Sequence, residues 1–447
     1  MERPHYAHKD AMAENGSETR MKYLHLVSIF PALTETFVLR EARKMQEMGC
    51  EVVIGQLRPV GSRPTAPSFE DLRPCVVQAS LLSASTFLGA LFFTLGKPKL
   101  TWCYIKLVLA SLPDVTSLLK LAYVLVVSMQ LAYRLRHSGI AHALGHHLHS
   151  EAVSAMFIAG FLGFPYSFTC HTVKIYYPRR ILAEVVRGAA FIIADTFQTR
   201  GFLDEMGADP QRVHIVRNAV ALSDFPMRQP GMVSDPPTIL AVGRLDCKKG
   251  FHVLLSACSV MSQEGVHFRC VIVGDGDEWN NLLELKSELR LQEQVHMVGN
   301  LAFADLEQWY ERATLLAVPS VVASDGSTDG LPTVVIEAFA RGIPVIASST
   351  GGIPEVVHNG LNGFVVTPGA SEELADKMSK LLSNRDLRCK FAAAARRTAE
   401  REFDLDRNLR MLARLMLGQV QEQSSRSSST AILSPTFEHT QGDVAPL

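Results

Sequence analysis

Two lysines and an arginine are packed into Gly243-Arg244-Leu245-Asp246-Cys247-Lys248-Lys249-Gly250, directly after the apolar run Thr238–Val242. Arg244 and Lys249 are the residue types that clamp a diphosphate through charge-assisted hydrogen bonds, and Gly243 leaves room beside them. Taken alone, such a segment is equally a solvated turn. A second segment, Asp329-Gly330-Leu331-Pro332, leads into the helical pattern Thr333–Arg341. Gly330 admits close approach of a ligand, and Pro332 suits a first helical turn because its missing N–H would be unpaired there. The free amides and positive dipole end of that helix suit an anion. Glu337 lies one and a half turns in, among Ile336, Ala338 and Phe339. A carboxylate so placed needs donors, which ribose hydroxyls or a neighbouring arginine could supply. A third segment, Ser348-Ser349-Thr350-Gly351-Gly352-Ile353-Pro354-Glu355, follows the run Val345–Ala347. Three such loops, all after strand-like runs, describe a nucleoside diphosphate site.

Loops of this kind must be held at the carboxyl ends of parallel strands, where open α/β sheets bind ligands. The pattern supplies those strands. Short β-branched runs at 23–29, 51–56, 166–170, 191–194, 213–216, 238–242, 268–273, 315–318, 345–347 and 364–366 alternate with longer helical stretches. Strands alternating with helices predict βαβ units, and there are enough here for two doubly wound, Rossmann-like α/β domains. The chain of 447 residues is also too long for one ordinary core. Pro, Gly and Asp crowd into 224–237, placing an N-terminal domain over 21–225 and a C-terminal one over 236–385. Residues 386–420 read as helices able to pack on either domain, and the polar ends, 1–20 and 421–447, read as disordered tails.

Composition narrows the class. Forty-four Lys+Arg against 45 Asp+Glu give a net charge of −1, which argues against nucleic acid as a partner. Eight cysteines without a Cys-x-x-Cys fit a reducing, cytoplasmic setting, and residues 1–20 lack the apolar core of a secretory signal. A stretch of different character, 74–135, reads as a helical insertion into the first domain. Pro74–Gly96 carries no charge, yet its serines and threonines argue against a membrane span. The two readings kept are a cap over a cleft and helices lying on an anionic membrane surface, with Lys97, Lys99, Lys106 and Lys120 at the head groups.

The chain also resembles the GT-B fold glycosyltransferases of family 4, a retaining class that takes sugars from nucleotide donors. The stretches that carry the resemblance are VGRLDCKKG (242–250), VIVGDGDE (271–278), 319–357 and NGLNGFVVTPG (359–369). More loosely, FPALTETFVLREARKM (30–45), YSFTCHTVKIY (166–176) and VHIVRNAVALSDF (213–225) are similar to the family's polysaccharide-assembly branch. The resemblance implies that Arg244 and Lys249 bind the donor diphosphate and stabilise the leaving group, with Gly243, Gly330 and Leu331 lining its site. It implies that Glu337 holds the ribose, that Asp329 takes the first position of the paired-acid motif, and that His171 stands near the transferred sugar and the acceptor. Three departures shift the pattern: Asp329 replaces the usual Glu, Lys174 stands where an acid follows the histidine, and Asn218-Ala219 replaces Asn-Gly. The expected partners are a nucleotide-sugar donor and a glycan or lipid-linked glycan acceptor, in exopolysaccharide or cell-surface polysaccharide synthesis. No cofactor and no essential metal are expected.

Other signals lead elsewhere when read alone. Asp275-Gly276-Asp277 spells a metal signature but follows a strand, so it reads as a helix-opening turn. Gly274-Asp-Gly276 begins a dinucleotide fingerprint that Trp279 interrupts, which disfavours a dehydrogenase. No carboxylate pair is placed as in a glycosidase. His142, His146, His147 and His149 read as loop histidines rather than a zinc site, despite the 142/146 spacing. The alternative from another class is a non-catalytic nucleotide-sugar or glycan-binding protein on the same fold.

Overall fold

The computed structural model describes residues 21–30, 36–59, 71–110, 115–171, 177–229, 234–323, 326 and 328–427. Lys174, Pro31–Leu33, residues 1–20 and the end of the chain beyond 427 lie outside the described residues.

Two all-parallel sheets form the frame. The first contains β1 (Lys22–Val27), β2 (Glu51–Gln56), β3 (Val76–Gln78), β4 (Ile140–His146), β5 (Tyr166–Cys170), β6 (Ile192–Ala194) and β7 (Val213–Ile215). Its spatial order is β3-β2-β1-β4-β5-β6-β7, so the winding reverses between β1 and β4. These strands are apolar on both faces because helices cover both. On one face lie α1 (Thr36–Glu47) and, from the far end of the chain, a helix described below. The other face carries α2 (Ala84–Gly96), α3 (Pro98–Ala110), α4 (Val115–Leu135), α5 (Ser150–Leu162) and α6 (Arg179–Gly188), and α7 (Phe197–Glu205) follows β6.

The second sheet contains β8 (Thr238–Val242), β9 (Arg269–Val273), β10 (Val295–Gly299), β11 (Ala313–Val318), β12 (Val345–Ser348) and β13 (Gly363–Val366). Its order, β10-β9-β8-β11-β12-β13, reverses between β8 and β11. The connecting helices are α8 (Phe251–Gln263), α9 (Trp279–Glu288), α10 (Phe303–Arg312), α11 (Thr333–Ala340) and α12 (Ser371–Ser383). Two separate apolar clusters, one on each face, seal this sheet. The two doubly wound α/β units expected from the strand pattern are therefore present.

Three expectations need correction. Residues 386–420 do not choose one domain. Helix α13 (Arg385–Glu402) packs against α11, and Arg396 donates to the carbonyls of Phe225 and Ala340. The chain then turns at Phe403-Asp404, and α14 (Leu405–Ser427) crosses to the first sheet, where Leu409, Leu412 and Met416 join the cluster around α1. Secondly, α14 is helical as far as Ser427, inside the segment expected to be a tail from 421. Sustained packing near its start propagates the helix, where the local sequence alone shows no period. Thirdly, the stretch read as an insertion begins with β3, the edge strand of the sheet. Its helices are the crossover from β3 to β4, with α4 wedged between α2 and α5, and not a cap over a cleft.

Candidate functional site

The loops after β8, β11 and β12 interlock at the ends of their strands. Gly250 holds φ of 67°, and a Cβ there would stand 2.0 Å from the Pro319 carbonyl oxygen. Gly351, with φ of 55°, sits as tightly on the Asp329 carbonyl, at 1.8 Å for a built Cβ. Both positions require glycine for conformation and for space. The Val321 amide also donates to the Lys248 carbonyl across 2.8 Å, so the first two loops are joined by backbone as well. A fourth loop, after β9, supports them: the Leu245 amide donates to the Asp275 carbonyl at 2.9 Å. Asp275 Oδ1 accepts from the Gly276 amide at 2.8 Å just before α9, the helix-opening turn expected.

Within this frame Lys249 Nζ lies 2.9 Å from Asp329 Oδ2, and its aliphatic chain runs over Gly243. Lys248 Nζ is 3.7 Å from Asp329 Oδ1, and Ser320 donates to Asp329 Oδ2 at 3.0 Å. Asp329 is buried, and its carboxylate is occupied in holding the two lysines in place. Arg244 is exposed on the same loop. Arg244, Lys248 and Lys249 against two carboxylates, Asp329 and Asp246 of the same loop, leave a net positive charge at the strand ends.

Glu337 lies deeper, on α11. Tyr310, on α10, donates to its Oε2 at 2.7 Å. The donor anticipated as a possible arginine partner is thus a tyrosine hydroxyl. Arg341 acts one step removed: its buried guanidinium stacks on Tyr310 at 4.6 Å and on Phe225 at 4.3 Å, which fixes the tyrosine. Burial raises the Glu337 carboxyl above the usual carboxylate range, partly offset by Tyr310, Arg341 and Arg40 of α1. Oε1 keeps capacity to accept another hydrogen bond.

Across from these loops, the first sheet supplies His171, at the end of β5. The two sheets meet there: a Cβ on Gly330 would stand 3.1 Å from the His171 carbonyl oxygen and 3.8 Å from Asp195 Oδ2. Leu331 and Thr196 flank Gly352 in the same contact. His171 Nδ1 is 3.6 Å from Asp195 Oδ2, and its ring meets that of His147 at a centroid distance of 5.3 Å. Burial pushes the Asp195 carboxyl up, but the His171 imidazole 3.6 Å away and the hydrogen bond from Thr199, at 2.9 Å, outweigh it, and the net shift is downward. Asp195 faces the His171 imidazole across 3.6 Å and orients it.

His171, Lys249, Asp329, Gly330 and Leu331 therefore converge, with Gly243 and Arg244 on the adjoining loop and Glu337 set back behind α11. Sequence reasoning missed Asp195, Tyr310 and Arg217, and read His147 only as a loop histidine. Arg217, just after β7, reaches Glu355 of the third loop at 2.9 Å and Glu402 of α13 at 3.2 Å. His147 has a φ of 77°, uncommon for a side chain of its size. The strand-end position was a usable signal for Asp195 and Arg217; nothing local distinguished Tyr310. Of the four histidines near 146, two are not loop residues: His142 and His146 belong to β4 and are fully buried, His142 bonded to Ser167 at 3.0 Å. His147 and His149 lie, partly buried, in the turn between β4 and α5.

Known proteins share this fold and part of this sequence. Residues 224–398 match the family described as "Glycosyl transferases group 1". The chain is similar to the amylovoran biosynthesis glycosyltransferase AmsK of Erwinia amylovora, 29% identical over 211 residues, covering 47% of this chain and 52% of that protein. It is also similar to the GDP-mannose-dependent alpha-(1-6)-phosphatidylinositol monomannoside mannosyltransferase of Mycobacterium tuberculosis, 29% identical over 193 residues, covering 43% of this chain and 50% of that one. The chain spans about half the length of these curated relatives. Among solved structures, HepE of Anabaena in complex with UDP superposes with a TM-score of 0.65 at 17% identity, over 92% of this chain and all of that one. A glycosyltransferase from Rickettsia africae does so with a TM-score of 0.68 at 19% identity, over 90% of this chain and 100% of that one. At such identities the likeness concerns the fold, which is the two-sheet GT-B arrangement.

Proposed function

We propose that this protein is a glycosyltransferase that moves a sugar, with retention, from a nucleotide diphosphate sugar to a hydroxyl of a glycan or lipid-linked glycan in exopolysaccharide or cell-surface polysaccharide synthesis. The observation that carries the proposal is the cationic loop cluster, Lys248 and Lys249 on Asp329 with Arg244 exposed on the same loop, next to Gly330, which packs against His171 of the opposite sheet. Leaving-group charge develops on the donor diphosphate in the transition state, and a fixed net positive cluster stabilises it there more than in the ground state. Asp329 acts as a positioning residue for the lysines, which accounts for the short side chain at that place. Glu337, oriented by Tyr310, receives ribose hydroxyls through Oε1. His171, oriented by Asp195, faces the transferred sugar. Retention rests on the resemblance of 242–250 and 319–357 to the retaining family. No metal is required at the donor loops in this reading.

The acceptor side points to a membrane surface, with the protein peripheral on the cytoplasmic face. Much of the exposed large apolar surface lies on α2, α3 and the start of α4, including Phe87 (72% exposed), Leu95 (71%), Trp102 (54%) and Leu119 (65%). Leu88, Leu91, Phe92 and Leu95 line one groove with Tyr133. No acidic residue occurs from Pro74 to Pro113, whereas Lys97, Lys99 and Lys106 do. An apolar patch with a cationic rim matches an anionic bilayer. Among the described residues α4 alone is long and apolar enough to cross a membrane, and it is packed between α2 and α5 as a core helix.

The test is turnover. The purified full chain, given UDP- or GDP-sugars and a lipid-linked glycan, should release free nucleoside diphosphate only when the acceptor is present. His171→Ala should retain nucleotide binding by calorimetry and lose release by at least about a hundredfold. Binding without release in the unaltered protein, across donors and acceptors, would instead establish a non-catalytic nucleotide-sugar-binding protein.

A further inference from the structure

His25 in β1, Glu41 in α1 and His146 at the end of β4 meet in the interior between the first sheet and α1, and the donor loops use none of them. All three side chains are buried, the two histidines completely. His25 Nδ1 is 3.1 Å from His146 Nε2 and 3.6 Å from Glu41 Oε1, and the three ligand atoms lie within 4.8 Å of one another. The longer of these separations is beyond a hydrogen bond, and Glu41 Oε1 and His25 Nε2 have no hydrogen-bond partner. Buried carboxylates are normally paired with a cation or coordinate a metal.

Two imidazoles and one carboxylate make a donor set of borderline softness, suited to a divalent transition ion. In a tetrahedral zinc site, bonds of roughly 2.0–2.1 Å put neighbouring donor atoms about 3.3–3.4 Å apart. The separations of 3.1 and 3.6 Å bracket that spacing. A cavity of about 60 Å³, lined by Glu41, Thr169 and His171 among others, lies on the Glu41 side of the trio. We propose that His25, Glu41 and His146 bind one divalent metal ion of the zinc class. The ion ties α1 to the two strands at which the sheet's winding reverses, one residue before His147, whose ring touches that of His171. It is a structural ion that steadies the floor beneath His171, independent of which sugar is transferred.

The full chain, freed of metal by chelator dialysis, is titrated with Zn²⁺ and, separately, Co²⁺. One tight equivalent of Zn²⁺, a thermal midpoint that rises on its addition, and visible Co²⁺ absorption typical of four-coordinate nitrogen–oxygen ligation are expected. Glu41→Gln and His146→Gln should each weaken zinc binding at least a hundredfold. The cobalt spectrum of the unaltered protein decides the matter should either variant fail to fold. Less than a tenth of an equivalent bound, or equal binding by the folded variants and the unaltered chain, overturns the proposal; the first outcome leaves a hydrogen-bonded histidine pair beside Glu41, the second a surface histidine site.

Discussion

At Glu337 the competing influences on one carboxylate can be ranked. Burial raises its pKa, and the hydroxyl of Tyr310, Arg341 and Arg40 only partly reverse this. An acid raised on folding binds more protons in the native than in the unfolded state between its ordinary and its raised value. Its contribution to stability therefore declines as pH rises through that window. Ligand binding has the opposite sign, because ribose hydroxyls prefer the ionised form. Nucleotide affinity should begin to fall, on acidification, at a higher pH than for an ordinary glutamate. Glu337→Gln, which still accepts from Tyr310, should fold normally, bind nucleoside diphosphate about tenfold more weakly or worse, and lose that pH dependence. Calorimetric titration from pH 5 to 8 reads both effects; an affinity that is unchanged in the variant removes Glu337 from the site. The donor loop holds a parallel lesson. Type and spacing marked Arg244 and Lys249 as diphosphate ligands, but that Asp329 restrains Lys249, and Lys248 with it, was decided by side chains about eighty residues apart in the chain.

For loops and helices, what matters is where elements touch. Gly250 is the point at which the loop after β8 meets that after β11. Gly250→Ala adds a methyl into a carbonyl oxygen at a positive φ, and should cost about 1–3 kcal/mol in urea-induced unfolding while abolishing nucleotide binding. A variant as stable as the parent would show that the loops move apart readily. The apolar face of α2 behaves oppositely, since its side chains are not needed by the core. Phe87→Ser with Leu95→Ser should leave the unfolding midpoint unchanged within about 0.5 kcal/mol and reduce co-sedimentation with anionic liposomes at low salt. Sedimentation equal to that of the unaltered protein would move the contact elsewhere. The character of this stretch was legible in its missing charges. Its role was not, because a buried crossover helix such as α4 and a surface helix such as α2 look alike until their neighbours are known.

For the whole molecule, Arg217 and α14 hold the two sheets in one arrangement. Arg217 joins the end of β7 to Glu355 and Glu402 of the second unit, and the Asn408 side chain of α14 donates to its carbonyl at 2.9 Å. The Arg217 side chain is 9% exposed, with Glu355 at 15% and Glu402 at 22%. Removing it would strand two partly buried carboxylates. Arg217→Ala should cost roughly 3 kcal/mol, split a single unfolding transition into two, and increase the radius of gyration in small-angle scattering; one unbroken transition at the original midpoint would show that α14 alone suffices. The sequence by itself determined what is local or periodic. Buried strands announce themselves as β-branched runs, tight loops as glycines, and the donor site as cations and a helix start following strands in a fixed order. Only the tertiary structure decided what depends on distant partners: Tyr310 under Glu337, the two lysines on Asp329, α14 returning to the first sheet, and His25 beside His146 across 121 residues of chain. Such pairings leave no period or spacing in the chain, because they are fixed by how two sheets wind and which faces they bury, and not by neighbours in sequence.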